Sequence, residues 1–438
     1  MSAPLPLQGI RVVDFSIVWA GQTVTMYLAD LGADVIKVEN PRIWNPLTRA
    51  SAARVTPQVS MALPPWIGGH PGSDPGPRPW NNSPAFIHVL RNKKSFTVDS
   101  RTPEGLAVVK SLVERSDVLV ENLPVGTLDK IGLGDAVLRE LRPDMVIVHQ
   151  PSFGRTGDYR DGRGYGSHMD AVAGSTILRG YRGTAPLSNV QIVPGDFTAG
   201  LHGAVAVLAA LRHRRRTGEG QVLEVAQADS SACQFPQAAL DAAWNGRASG
   251  TLGNRSVEGF VPNGVFPCKG PGDWIAISCR SDDEWSALVR FLRSPAWATS
   301  ESLSAAAGRA QYEDDIEAHL ASFTSVHDQT ELFHALQAAG VTAGPVLNAA
   351  QAANDPHLRA TGGWTTLAAT DDYPETEWAV PPYRFSQSPV GLRTAPCLFG
   401  EHNDYVYREV LGLGEAAIAE LTRAGHITTT YAPEVLGP

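Results

Sequence analysis

The residues best suited to chemistry stand in one run, Gly195-Asp196-Phe197-Thr198-Ala199-Gly200, with Val193-Pro194 before it and a small-residue-rich apolar stretch, 204–213, behind it. A carboxylate at a helix start lies where backbone N–H groups and the helix dipole favour the ionised form. Such an acid suits an N-cap. It equally suits a nucleophile, which must be ionised and close to N–H groups able to hold an oxyanion. The helix ends on Arg214-Arg215-Arg216-Thr217-Gly218, a basic last turn and a glycine stop that a solvated helix end explains without any partner.

The elements that must position this acid alternate. Residues 9–15 read as a buried strand, 21–31 has helical spacing and stops at Gly32, and 34–39 reads as a second strand. Strand, helix and strand in about thirty residues make a βαβ unit and hence a parallel sheet with a right-handed crossover. After an insert, the alternation resumes with strands near 94–99, 117–122 and 145–149 and a helix opened by Thr102-Pro103-Glu104-Gly105. The turn after the first strand holds Trp19-Ala20-Gly21-Gln22 and lacks Gly-x-Gly-x-x-Gly, so a nicotinamide dinucleotide loses its main support. The insert, 41–84, is rich in Pro, Gly and Ser and carries Trp44, Trp66 and Trp80. Two readings stand for these indoles: local packing of the loop, or a hydrophobic wall of an acyl pocket. Beyond residue 225 the pattern changes to a helix from 227 to 244, a Gly-rich link, a strand near 273–278 and further helices, as in a smaller α+β domain. The expected fold is α/β: a large Rossmann-like part over 1–225, a small domain over 226–345 and a return to the large domain over 346–438.

Composition narrows the class. The 438 residues are 43% hydrophobic and 18% charged, an ordinary globular balance, and the net charge of -9 argues against a nucleic-acid binder. Cys233, Cys268, Cys279 and Cys397 match no zinc or redox spacing and no disulfide framework, so a reducing, cytoplasmic setting is expected. Neither a basic leader followed by an apolar run nor a bilayer-length apolar segment is visible, and no membrane partner is expected.

Several stretches combine. Val13-Asp14-Phe15-Ser16 through Ala20-Gly21, Leu31-Gly32-Ala33-Asp34-Val35-Ile36-Lys37-Val38-Glu39, Asn92-Lys93-Lys94-Ser95, Val120-Glu121-Asn122-Leu123, Gly195-Asp196-Phe197-Thr198-Ala199-Gly200 and Arg216-Thr217-Gly218-Glu219-Gly220-Gln221 follow in that order. Together they resemble the class III CoA-transferases, over nearly the whole chain. The resemblance implies a large and a small domain joined by two linkers, an interlocked homodimer, and a coenzyme A thioester as substrate with no permanently bound cofactor and no metal. It implies transfer of CoA from an acyl-CoA donor to a carboxylic acid through an aspartyl intermediate on Asp196. By the same resemblance Val18, Trp19, Ala20, Lys93, Asn122, Leu123, Lys130 and Ile131 contact CoA, Lys93 meeting a phosphate. Trp19 stands where formyl-CoA transferase has Gln, which hints at a different acyl group.

The family also holds α-methylacyl-CoA racemases, which need a second base about thirty residues before the Asp. In register that position is Tyr165, a poor base at neutral pH, with His168 and Asp170 three and five residues off register. The transferase is the expected activity, with the racemase, a thioester hydrolase and a non-catalytic CoA-binding protein as alternatives. Residues 253–259 occupy the place of a glycine-run flap in formyl-CoA transferase but lack the run.

Overall fold

The computed structural model describes residues 4–63, 69–185 and 193–437. The chain forms two compact units. One comprises Met1–Ser175, Gln191–Ala239 and Gly362–Pro438, the other Thr176–Val190 and Leu240–Thr361.

The first unit is built on six parallel strands: β1 (Arg11–Asp14), β2 (Asp34–Glu39), β3 (Lys94–Thr97), β4 (Val118–Glu121), β5 (Val146–His149) and β6 (Val222–Glu224). Their order across the sheet is β3-β2-β1-β4-β5-β6. The winding reverses between β1 and β4, and ligands of such sheets bind outside the carboxyl ends of the strands at that reversal. Successive strand residues point to opposite faces. Val12, Val35, Val118, Val146 and Val148 pack into one layer with Val24, Leu28 and Val207, while Val13, Ile36, Leu119 and Ile147 pack into the other with Val109 and Leu112. Burial on both faces explains why these strands read as continuous apolar runs.

The helix Ala20–Asp30 follows β1 directly and lies against the long helix Pro194–Thr217. Small residues let the two backbones close up: a Cβ at Gly203 would stand 2.6 Å from Val24 Cγ2, and one at Gly200 would stand 2.5 Å from Thr23 Cβ. On the opposite face, Thr102 caps the helix Pro103–Glu114, its Oγ1 accepting from Gly105 N at 3.1 Å.

Some sequence expectations shift. Asp196 lies inside the first turn of its helix, whose N-cap is Val193. The single helix expected over 227–244 is two, Gln227–Ala232 and Pro236–Asn245, because Pro236 has no N–H to continue the ladder. Gln227 and Ala228 donate to the Pro151 and Ser152 carbonyls, so this segment stays with the large unit beyond residue 225. The chain returns to that unit at Gly362 rather than at 346, opening with the hairpin strands Trp364–Leu367 and Thr376–Ala379. In the insert, Trp44 and Trp80 pack edge-on against Tyr431, at 5.1 and 5.3 Å between ring centroids, and Trp80 is 1% exposed. Local packing therefore accounts for both indoles. Trp66 lies outside the described residues.

The second unit pairs β7 (Asn263–Pro267), β8 (Trp274–Ser278) and β9 (Thr342–Val346) as an antiparallel sheet in that order. Ile275, Ile277, Trp285, Leu288, Leu320 and Leu336 form its core with the helices Asp282–Phe291, Glu313–Thr324 and Gln329–Ala338. Arg255, in the region where the flap resemblance fails, is tied to Glu313 at 3.2 Å and to Glu317 at 2.5 Å, anchoring this loop to a helix.

Candidate functional site

The carboxyl ends of β1, β4, β5 and β6 open onto one cavity of about 430 Å3. Asp196 lies in its wall at 4% exposure. Residues 15–20 cross its floor and are held by a buried network. Asp14 accepts from Ser16 N at 2.9 Å, from Thr25 Oγ1 at 2.6 Å and from Lys93 Nζ at 3.1 Å, and Lys37 lies 3.8 Å away. Burial alone would raise the Asp14 carboxyl, but the Lys37 and Lys93 charges and the two hydroxyls hold it at about 2. Asn122 clips the loop from the neighbouring strand: its Oδ1 accepts from Ile17 N at 2.6 Å and its Nδ2 donates to Ile17 O at 2.9 Å. A Cβ on Gly21 would stand 2.9 Å from the Asn122 amide, so this approach requires glycine. Val18 follows in the left-handed region, at φ 54°, a strained conformation for a β-branched residue.

Around Asp196 the packing is equally close. Gln227, just beyond β6, donates through Nε2 to Asp196 Oδ1. A Cβ on Gly166 would collide with Asp196 Oδ2, and one on Gly195 would reach Asp170 Oδ1 at 2.7 Å. Asp170 is itself buried and accepts from Ser231 Oγ at 3.3 Å. Burial pushes the Asp196 carboxyl up to about 7; the Gln227 bond opposes the rise and the Asp170 charge adds to it. This corrects the expectation that the helix terminus keeps the acid fully ionised. Desolvation outweighs the dipole because Gly166, Asp170 and Gln227 pack around the carboxyl, leaving 4% of the residue exposed.

The expected contact residues divide. Val18, Ala20, Asn122 and Leu123 line the Asp196 cavity. Leu123 and Ile131 line a second cavity of about 250 Å3 that shares Ile17 and Leu123 with the first. Trp19 lines neither cavity: its indole N–H donates to Ala85 O at 2.8 Å, and its ring stacks on Phe86 and on Phe197, the residue after the acid, at 5.7 and 5.9 Å. Lys130 is exposed and lines neither cavity. Lys93 is the clearest departure. Its Nζ is buried and donates to Asp14, to Gln22 O at 2.9 Å and to Thr25 Oγ1 at 2.6 Å, which uses all three ammonium donors and leaves none for a phosphate. Tyr165 and His168 both line the Asp196 cavity, the His168 Nδ1 accepting from Tyr165 N at 3.2 Å.

Sequence reasoning missed Gln150, Gly166 and Gln227. Gln150 directly follows β5 and Gln227 lies three residues past β6, and that position past a strand's carboxyl end was the available signal.

A buried carboxylate near neutrality, at the winding reversal and beside a long crevice, can attack an acyl carbonyl. Comparison with known proteins agrees with such chemistry. The family model described as CoA-transferase family III matches residues 7–403. The chain is 30% identical over 420 residues to the succinyl-CoA–L-malate CoA-transferase beta subunit of Chloroflexus aurantiacus, covering 95% of this chain and 97% of that protein. It is 30% identical over 443 residues to the formyl-CoA:oxalate CoA-transferase of Rhodopseudomonas palustris, covering 96% of each. A CAIB/BAIF family protein from Brucella suis superposes with a TM-score of 0.77 at 27% identity, over 93% of this chain and 99% of that one. With that match running through β1 to β9 and across the Asp196 cavity, the chain belongs to CoA-transferase family III and is a CoA-transferase.

Proposed function

We propose that Asp196 is the nucleophile through which CoA passes from an acyl-CoA thioester to a carboxylic acid. The observation that carries this reading is a buried carboxyl in the wall of the cavity at the sheet's winding reversal, which burial pushes up to about 7. Asp196 attacks the thioester carbonyl, and the C–S bond breaks to give a mixed anhydride and CoA thiolate. The thiolate attacks the aspartyl carbonyl, releasing the donor's acid and leaving an aspartyl-CoA thioester. The acceptor carboxylate repeats the two steps in reverse order, regenerating Asp196. CoA runs from this cavity into the second one, past Leu123 to Ile131, where Arg101 supplies positive charge.

The acceptor is read as an acid with a second anionic group. Arg160 and Arg163 line the same cavity as Asp196, and both are exposed to arriving solute. Relatives named for malate and oxalate fit that class. A panel of succinyl-CoA and formyl-CoA against L-malate, oxalate, acetate and butyrate, read by mass spectrometry, tests the transfer. Exchange with no pair would overturn it. Arg163→Gln is expected to weaken exchange into dicarboxylates by about tenfold, the worth of one exposed charged hydrogen bond, and to leave the monocarboxylates unchanged.

His168 in the cavity favours the racemase as a second reading. Running racemic 2-methylacyl-CoA in deuterated water separates the two, because only a racemase incorporates α-deuterium at turnover rates.

A homodimer is part of the proposal. Phe197, Leu201, Val205 and Leu208 form an apolar stripe on the long helix, between 37% and 58% exposed, which a second copy would cover. Sedimentation is expected to give twice the 46.8 kDa chain mass. Three of the four cysteines are buried and all are free, consistent with a reducing, cytoplasmic setting, and no helix among the described residues is long and apolar enough to cross a membrane.

A further inference from the structure

Gln150 follows β5 and continues the face that carries Val146 and Val148, the face packed with Val207 of the long helix. Its backbone is fixed by the N–H donated to Glu121 O at 2.9 Å. The side chain is 1% exposed and lines the Asp196 cavity, and neither its amide oxygen nor its amide nitrogen has a hydrogen-bond partner among the described residues. Other polar side chains of the cavity have partners: Gln227 in Asp196, and Ser152 in Gly164 O at 3.4 Å. A buried amide with both ends unmet costs folding stability, and a selected sequence has no packing reason to keep it where Val146 and Val148 precede it on the same face.

We infer that Gln150 is the cavity's hydrogen-bond donor to the reacting acyl oxygen. The inference rests on the transfer reading given above. As Asp196 Oδ adds to the thioester carbon, the C=O electron pair moves onto the carbonyl oxygen, and the Gln150 N–H holds the resulting oxyanion until the C–S bond breaks and CoA thiolate leaves. The terminal torsion of a glutamine is broad, so the amide turns toward an arriving carbonyl within its own well. A donor aimed at charge that develops only in the transition state raises kcat rather than lowering KM.

The test is Gln150→Leu, similar in size and without the amide, assayed with the donor and acceptor panel above and by thermal unfolding without ligand. The expected result is a fall in kcat of about 10²- to 10³-fold with KM for the acyl-CoA changed less than about threefold. The unfolding temperature is expected to stay or rise, since an orphaned amide has been removed. A kcat within about threefold of the parent's would overturn the inference. So would a lower unfolding temperature, which would show that the amide serves the fold. Failure of the transfer reading looks different: there the unmutated enzyme itself exchanges no pair of the panel.

Discussion

Asp196→Asn will lose CoA exchange by at least about 10³-fold and will unfold at a higher temperature than the parent above neutral pH. Both effects have one cause. The folded chain raises the carboxyl from 3.8 to about 7, chiefly by burial. Exchange needs the ionised form, so the parent's kcat/KM is expected to rise with pH through about 7 and to fall about tenfold per unit below it. Stability runs the other way. Between pH 3.8 and about 7 the folded state binds a proton that the unfolded chain has released, so folding stability drops as pH rises across that window. Above it the burial of an ionised Asp196 costs at most about 4 kcal/mol, from roughly three units at 1.36 kcal/mol each. Asn removes the charge, and its Oδ1 still accepts from Gln227. Denaturation from about pH 4 to about pH 9 should show the parent losing stability relative to the Asn variant as pH rises. An Asn variant that retains near-parental exchange would dismiss the nucleophile. Parallel stability curves would dismiss the raised carboxyl.

How far the sequence carried this result follows from what is local. The period of the apolar residues is local, so the β1 to β5 run and the helix start at Thr102-Pro103 were legible before the fold was known. The acid at 196 was legible because a glycine and a helix start adjoin it. Its true environment was not. The groups that enclose it come from the helix start holding Gly166 and Asp170 and from Gln227, three residues past β6, more than twenty residues away on either side. Lys93 was misread for a related reason. A basic Asn92-Lys93-Lys94 turn looks solvated in sequence, and Lys94 is indeed part-exposed, pairing with Asp34 at 2.6 Å. But β3 lies beside β2, and one step before β3 the Lys93 stem passes inward to Asp14 of β1. Tertiary register, which no window of sequence reports, decides which of two adjacent lysines is a surface charge and which is a core strut. The same applies to the insert. Its Arg49 grips Glu39 through two hydrogen bonds of 2.6 and 2.7 Å in the core, and its indoles close on Tyr431 at the other end of the chain.

The second large effect is therefore expected at a residue that touches no substrate. Asp14→Ala removes the only acid within reach of Lys37 and Lys93 in the described network and leaves two buried ammonium groups without a counter-charge. Stranding a buried charge in this way costs about 3–5 kcal/mol, more than removing a pair together. The pH dependence identifies the mechanism. In the parent, Asp14 sits at about 2 against 3.8 in the unfolded chain, so its contribution is present above pH 3.8 and is lost as pH falls through about 2. Burial already pulls Lys93 from 10.5 down to about 8, with Asp14 opposing the fall. Without Asp14 it drops further, and the folded state then binds fewer protons than the unfolded chain up to pH 10.5. Relative to the parent, the deficit of the Ala variant should shrink as pH rises toward about 8 and stay constant above it, where both chains regain stability alike, whereas loss of simple packing would give a deficit independent of pH throughout. Lys93→Met should cost less, since Asp14 keeps Lys37, and because Lys93 spends its donors on the protein it should alter unfolding before it alters KM for acyl-CoA. A rise in that KM with unchanged unfolding would instead return Lys93 to the phosphate. Exchange in the Asp14 variant should fall with stability, because residues 17–20 of the cavity floor hang from this network: the chemistry at Asp196 depends on a charge cluster that never meets the substrate.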